Sequence, residues 1–273
     1  MRELIRGKGM TRLLSTVNPL DAARILLSLM MLGYASWIDL RTREIYDLVW
    51  VVFGAFGLII AVYEVYSGTL SLTGLAIPVV FSVVVSFALG YLGLFGGADV
   101  LAFITLAVLN PCAPRGIEPY LGISSIIYPL TLFSNSALAG ASFAVVLFTR
   151  NLMLSVNGRA LFEGYASEPL WRRLVMMATG YKIGVGEVRG PPFQYPLELP
   201  PEEGAQGRRL ILLPDIEDDD AAEEVFRRLR EAGYIDLWVS YTLPFIVFIA
   251  IGYLLTLFVG DIALFVMIRL FLT

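Results

Sequence analysis

Two aspartates stand where apolar runs end or begin. Asp39 lies in Ser36-Trp37-Ile38-Asp39-Leu40-Arg41-Thr42-Arg43-Glu44-Ile45, and Asp99 in Gly93-Leu94-Phe95-Gly96-Gly97-Ala98-Asp99-Val100. A carboxylate at membrane depth is costly unless it is paired or faces a wet cavity, which makes each a functional candidate. Two carboxylates that meet where the dielectric is low share a proton rather than both ionising. Such a pair holds a base and an acid at once. One activates water and the other protonates a leaving group, the division of labour in acid-dyad hydrolysis. Gly96 and Gly97 have no side chains and let a substrate backbone approach closely. Ala98, beside Asp99, is nearly as small.

Singly, these features have plainer readings. Asp39 alone reads as an interfacial residue beside Arg41, and Gly96-Gly97 alone as a hairpin turn between helices. Glu44 and Asp47 read as solvated loop charges. Asp218-Asp219-Asp220 fits a helix start better than a cation site, and Cys112 is assigned a packing role.

Composition narrows the chemistry. Of the 273 residues, 57% are hydrophobic and 16% charged, against roughly 25% charged in an ordinary soluble domain. The mean hydropathy is +0.73. A soluble core cannot hide that much apolar surface, so the lipid bilayer is the expected solvent. There is one cysteine and no histidine. That excludes an internal disulfide, a multi-cysteine zinc site, a Ser-His-Asp triad and an H-E-x-x-H site. Acid–base chemistry is left to carboxylates, Lys or Tyr. No basic stripe suggests a nucleic-acid partner, and neither a cofactor nor a metal is expected.

A membrane span needs about 20 apolar residues. Runs at about 22–38, 47–66, 72–94, 98–111, 124–149 and 238–260 predict six. Residues 1–20, with Arg2, Arg6, Lys8 and Arg12, read as an amphipathic or irregular lead rather than a cleaved signal. The tail 261–273 reads as an incomplete seventh segment at the interface. Residues 150–236 differ in kind, holding 11 of the 20 Lys and Arg and a Pro/Gly-rich stretch from Gly190 to Pro201. They predict a soluble α+β insert, with helices at Glu168–Gly180 and Asp218–Ala232 and strands at Lys182–Val188 and Arg209–Leu213. The predicted fold is therefore a membrane all-α, six-helix bundle with that insert before the last span. Its parts are 1–149 with both aspartates, the insert 150–236, and 237–273 with the last span and tail.

Asp39 follows one crossing and Asp99 three, so both face one side. Arg41 and Arg43 in the first loop, then Arg150 and Arg159, put that side and the insert in the cytoplasm by the positive-inside rule. The basic N-terminus would then lie outside, against the rule.

Together these pieces resemble the GxGD intramembrane aspartyl peptidases, and the archaeal preflagellin and type IV prepilin peptidases in particular, over nearly the whole chain. Asp39 to Trp50 looks like the family's first-aspartate motif. Gly96-Gly97-Ala98-Asp99 looks like GxGD, with Ala98 in place of the second glycine. Leu243-Pro244-Phe245-Ile246-Val247-Phe248 resembles the start of the last span. Tyr46 stands where the family usually has proline. The resemblance implies Asp39 and Asp99 as the catalytic pair, with Gly96, Gly97 and Ala98 beside the substrate. It implies a multi-pass cell-membrane enzyme with its active site near the cytoplasmic face. Its substrate would be a preflagellin or prepilin-like precursor with a basic leader. The bacterial relatives that also methylate the new N-terminus carry a cysteine cluster absent here, so cleavage without methylation is expected. Two rivals are another GxGD protease that cuts within apolar spans, and an ion-coupled transporter. The latter is disfavoured by the lack of an inverted repeat and of centrally buried charge pairs of the transporter kind.

Overall fold

The computed structural model describes residues 17–271 except 166, 201–207, 213, 217 and 242–243. Most of the expected N-terminal lead, and the ends of the Gly190–Pro201 and Arg209–Leu213 segments, lie outside the described residues. The chain divides into two compact units, one of Met1–Gly140 with Pro244–Thr273 and one of Ala141–Leu243.

The first unit is helical. Its elements are α1 (Pro19–Thr42), α2 (Leu48–Tyr66), α3 (Leu72–Tyr91), α4 (Gly97–Leu109), the start of α5 (Tyr128–Val156), α8 (Phe245–Phe258) and α9 (Ile262–Phe271). Local chemistry sets the ends. The Asn18 side chain accepts from the Leu20 amide and Pro19 opens α1, a position where its missing N–H costs nothing. Ser71 caps α3 by accepting from the Gly74 amide at 2.9 Å. Asp261 caps α9 through the Leu264 amide at 2.9 Å and takes the Thr131 hydroxyl at 2.8 Å. The core gathers Met31, Leu32, Ala35, Trp50, Phe103, Leu106, Ile249 and Tyr253 from α1, α2, α4 and α8. Helices approach closely at small residues. A Cβ on Gly252 would lie 2.6 Å from the Ser136 Cα, so α8 and α5 touch backbone to backbone. A Cβ on Gly57 would lie 3.1 Å from Leu109.

Among the described residues four helices, α1, α2, α3 and α5, are long and apolar enough to cross a membrane, and α8 with α9 makes up to five if that pair, bent by 59°, counts as one. The expected fourth span is α4, whose 13 residues reach ~20 Å against a ~30 Å hydrocarbon core. The expected last span starts too early at 238. Residues 236–241 are a strand, and the helix begins only after Pro244, which has no N–H and biases the residue before it away from helix.

The second unit is α+β. After α5 come α6 (Leu170–Thr179), β1 (Gly180–Gly184), β2 (Gln194–Pro196), β3 (Glu198–Leu199), β4 (Arg209–Leu210), α7 (Asp219–Glu231) and β5 (Asp236–Tyr241). The sheet order is β1-β5-β2, all antiparallel, with β3-β4 as a separate pair. Both expected helices form. Gly180 follows α6, and Asp218 caps α7 through the Ala221 amide, as the helix-start reading of the acidic run requires. The expected strand Lys182–Val188 is shorter, because Val185–Glu187 turns into a 3-10 helix. Leu237, Trp238 and Val239 of β5 are buried on both faces, which is why their unbroken apolar run imitates a span. Glu198 is fully buried beside Arg208 at 3.3 Å, and burial pushes its carboxyl up to about 8. Cys112 is exposed and has no core-packing role.

Candidate active site

Asp39 sits in the last turn of α1 and is buried. The helix ends at Arg43, which takes the left-handed conformation (φ 62°) and donates its backbone N–H to the Asp39 carbonyl. That conformation is uncommon for a residue with a Cβ. It leaves Arg43 Nη1 3.8 Å from Asp39 Oδ1. The interfacial reading of Asp39 named the wrong arginine, since Arg41 instead lies over the Trp37 ring at 4.0 Å.

Asp99 occupies the first turn of α4. Gly96 caps that helix in an extended conformation, and its amide donates to Asp99 Oδ2 at 3.0 Å. A carboxylate there is also favoured by the helix dipole. A Cβ on Gly96 would meet that same oxygen at 3.4 Å, whereas one on Gly97 would meet nothing within 4 Å. Both glycines are exposed, while the Ala98 side chain packs against the core. Two helices separate the aspartates in the chain, yet they lie within electrostatic reach of each other.

Sequence reasoning missed what holds the glycine turn. Phe95 stacks on Phe103 with ring centroids 5.4 Å apart and touches Phe245 at 5.2 Å and Phe133 at 6.2 Å. The aromatic residue just before the glycine pair was the available signal. It ties the turn to α4, α5 and the first residue of α8.

A buried ionic group lies at the other end of α1. Arg24 Nη2 meets Glu64 Oε2 at 2.5 Å, both fully buried, and Arg115 bridges Glu64 at 2.5 Å and Asp21 at 2.9 Å. Two cations face two anions, so the group is neutral. It lies 15 residues along α1 from Asp39, ~22 Å away at the helical rise. Among the described residues no group of three or more Cys, Asp and Glu could hold a metal.

Residues 26–146, which contain both aspartates, match the Type IV leader peptidase family, and residues 172–262 match the Archaeal Peptidase A24 C-terminus Type II. Over that first stretch the chain is similar to the type IV leader peptidases. Curated relatives align along most of its length. A preflagellin peptidase of Methanococcus voltae is 26% identical over 247 residues, covering 86% of this chain and 94% of the relative. One from Methanocaldococcus jannaschii is 29% identical, covering 83% of this chain and 89% of the relative. A third, from Methanococcus maripaludis, is 26% identical over 83% of this chain and 90% of its own length.

Proposed function

We propose that this chain is a membrane-embedded aspartyl endopeptidase that removes the basic leader of preflagellin or prepilin-like precursors. The observation that carries the reading is the approach of Asp39 and Asp99 from two helices distant in sequence. The names of the relatives supply the substrate class. In the reaction, the unprotonated carboxylate takes a proton from water as the oxygen attacks the scissile carbonyl. The protonated carboxyl gives its proton to the departing amine, and the C–N bond breaks. The open space beside Gly97 admits an extended substrate backbone. The Gly96 amide keeps one Asp99 oxygen oriented.

On the same reading the site lies toward the cytoplasm, α4 acts as a short additional crossing in a six-span bundle, and residues 150–236 form the cytoplasmic insert. Methylation of the new N-terminus is absent. Membranes carrying the protein, incubated with a basic-leader preflagellin, should yield the shortened product. Asp39→Asn and Asp99→Asn should not. Normal cleavage by both variants would overturn the dyad, and a product heavier by one methyl when S-adenosylmethionine is present would overturn the last point.

A further inference from the structure

One helix of the second unit has an exposed side unsuited to water. α6 buries Met176 and Met177 and turns Leu170, Trp171, Leu174 and Val175 outward, at 71, 59, 44 and 37% exposure. Positions i, i+1, i+4 and i+5 form one stripe along a helix. Single exposed apolar residues are ordinary, but a contiguous apolar face marks an interaction surface.

The helix α5 indicates what covers it. Its 29 residues extend ~43 Å, beyond a hydrocarbon core of ~30 Å. Arg150 is the one charged residue along it, placed near the end where such side chains reach for headgroups. The next residue, Asn151, is fully buried and holds α6. Its Nδ2 donates to the carbonyl of Met177 at 2.9 Å and to that of Gly180 at 2.7 Å. The end of α6 is therefore fastened to the turn of α5 that leaves the hydrocarbon. Leu152, Met153 and Val156, on the turns beyond, are exposed as well, so the lipid-facing side of α5 continues past Arg150.

We propose that α6 lies in the headgroup–acyl boundary of the bilayer, with Leu170, Trp171, Leu174 and Val175 immersed in lipid. The helix is then a second point of membrane attachment, outside the spans. An amphipathic helix with Trp and Leu on its apolar face takes this position, buried by about 5–10 Å. The inference rests on α5 crossing the membrane and is independent of the catalytic reading.

The lone cysteine makes the test direct. With Cys112→Ser as background, Leu174→Cys and Val175→Cys on α6, and Glu223→Cys on the exposed side of α7, are spin-labelled in the full-length protein. The protein is reconstituted into phosphatidylcholine–phosphatidylglycerol vesicles. Collisions with oxygen and with a water-soluble nickel chelate then report depth. The expected result is a depth of about 5–10 Å for the two α6 labels and an aqueous reading at Glu223→Cys. Nickel access at Leu174→Cys and Val175→Cys equal to that at Glu223→Cys would overturn the proposal. So would spin–spin broadening on α6 that vanishes on dilution with unlabelled protein, which would assign the stripe to a second copy of the chain.

Discussion

Asp39, in the last turn of α1, and Asp99, in the first turn of α4, lie within electrostatic reach of each other although α2 and α3 intervene in the chain. Each carboxylate is also held locally. Arg43 stands near Asp39, and the Gly96 amide holds Asp99. Asp→Asn at either position keeps the shape and removes the exchangeable proton. Cleavage should fall by roughly 100- to 10,000-fold, with unchanged amounts of protein in the membrane. A fall that merely tracked lost protein would point to a structural role instead.

Gly97 separates folding from substrate approach. A Cβ there meets nothing in the free protein, so Gly97→Val should melt at the wild-type temperature. If the substrate backbone passes this point, kcat/KM should drop by about tenfold or more, a change of roughly 1.4 kcal/mol. Unchanged kcat/KM would remove Gly97 from the substrate path.

Phe95 anchors the glycine turn through three aromatic neighbours. It is only half-buried, so Phe95→Ala should cost roughly 1–3 kcal/mol, below the 3–5 of a fully buried Phe. Phe95→Leu should recover much of that stability. Melting in detergent checks the first value, and cleavage rates show whether a loosened turn misplaces Asp99.

The ionic group at the other end joins the buried Arg24 and Glu64 to a half-exposed Arg115. Removing one partner leaves an uncompensated charge, which costs about 3–5 kcal/mol. Glu64→Ala should therefore lower the melting temperature far more than either Asp→Asn variant. A small shift would mean that water reaches Arg24.

Glu198 gives the second unit a pH dependence. Burial raises its carboxyl from 4.5 to about 8, so the folded state holds the proton more tightly than the unfolded one. The associated stability is full below about pH 4.5 and is lost as pH rises through 8. The unit should melt higher at pH 5 than at pH 8.5, and Glu198→Gln should flatten that difference.

Parts of this architecture were readable from residues alone. Asp39 and Asp99 stood out because a carboxylate bordering an apolar run needs a reason. The Asp218 cap and the Gly180 stop marked the two helices of the second unit. Strand β5 was not readable, because a strand buried on both faces has the same unbroken hydrophobicity as a membrane helix; Pro244 was the clue. The Arg24–Glu64 pair was also hidden. Each charge sits inside an apolar run, and only packing reveals that they meet. Arg43 was overlooked in favour of Arg41 because the left-handed end of α1 decides which arginine turns back.

The neutral network of Asp21, Arg24, Glu64 and Arg115 has a mechanical consequence. It pins α1 to α2 at the end of the bundle away from the aspartates. α1 packs chiefly on α8, which is locked to α5 at Gly252, whereas α4 packs chiefly on α2 and α3. The two aspartates thus ride on helices with different main neighbours, joined at the far end by these ions and near the dyad by Phe95 against Phe133 and Phe245. Over a lever of ~22 Å a rotation of about 5° swings a carboxylate by about 2 Å. A tilt set by the ions at the far end is thus amplified at the Asp39 carboxylate, although none of those ions lies near it.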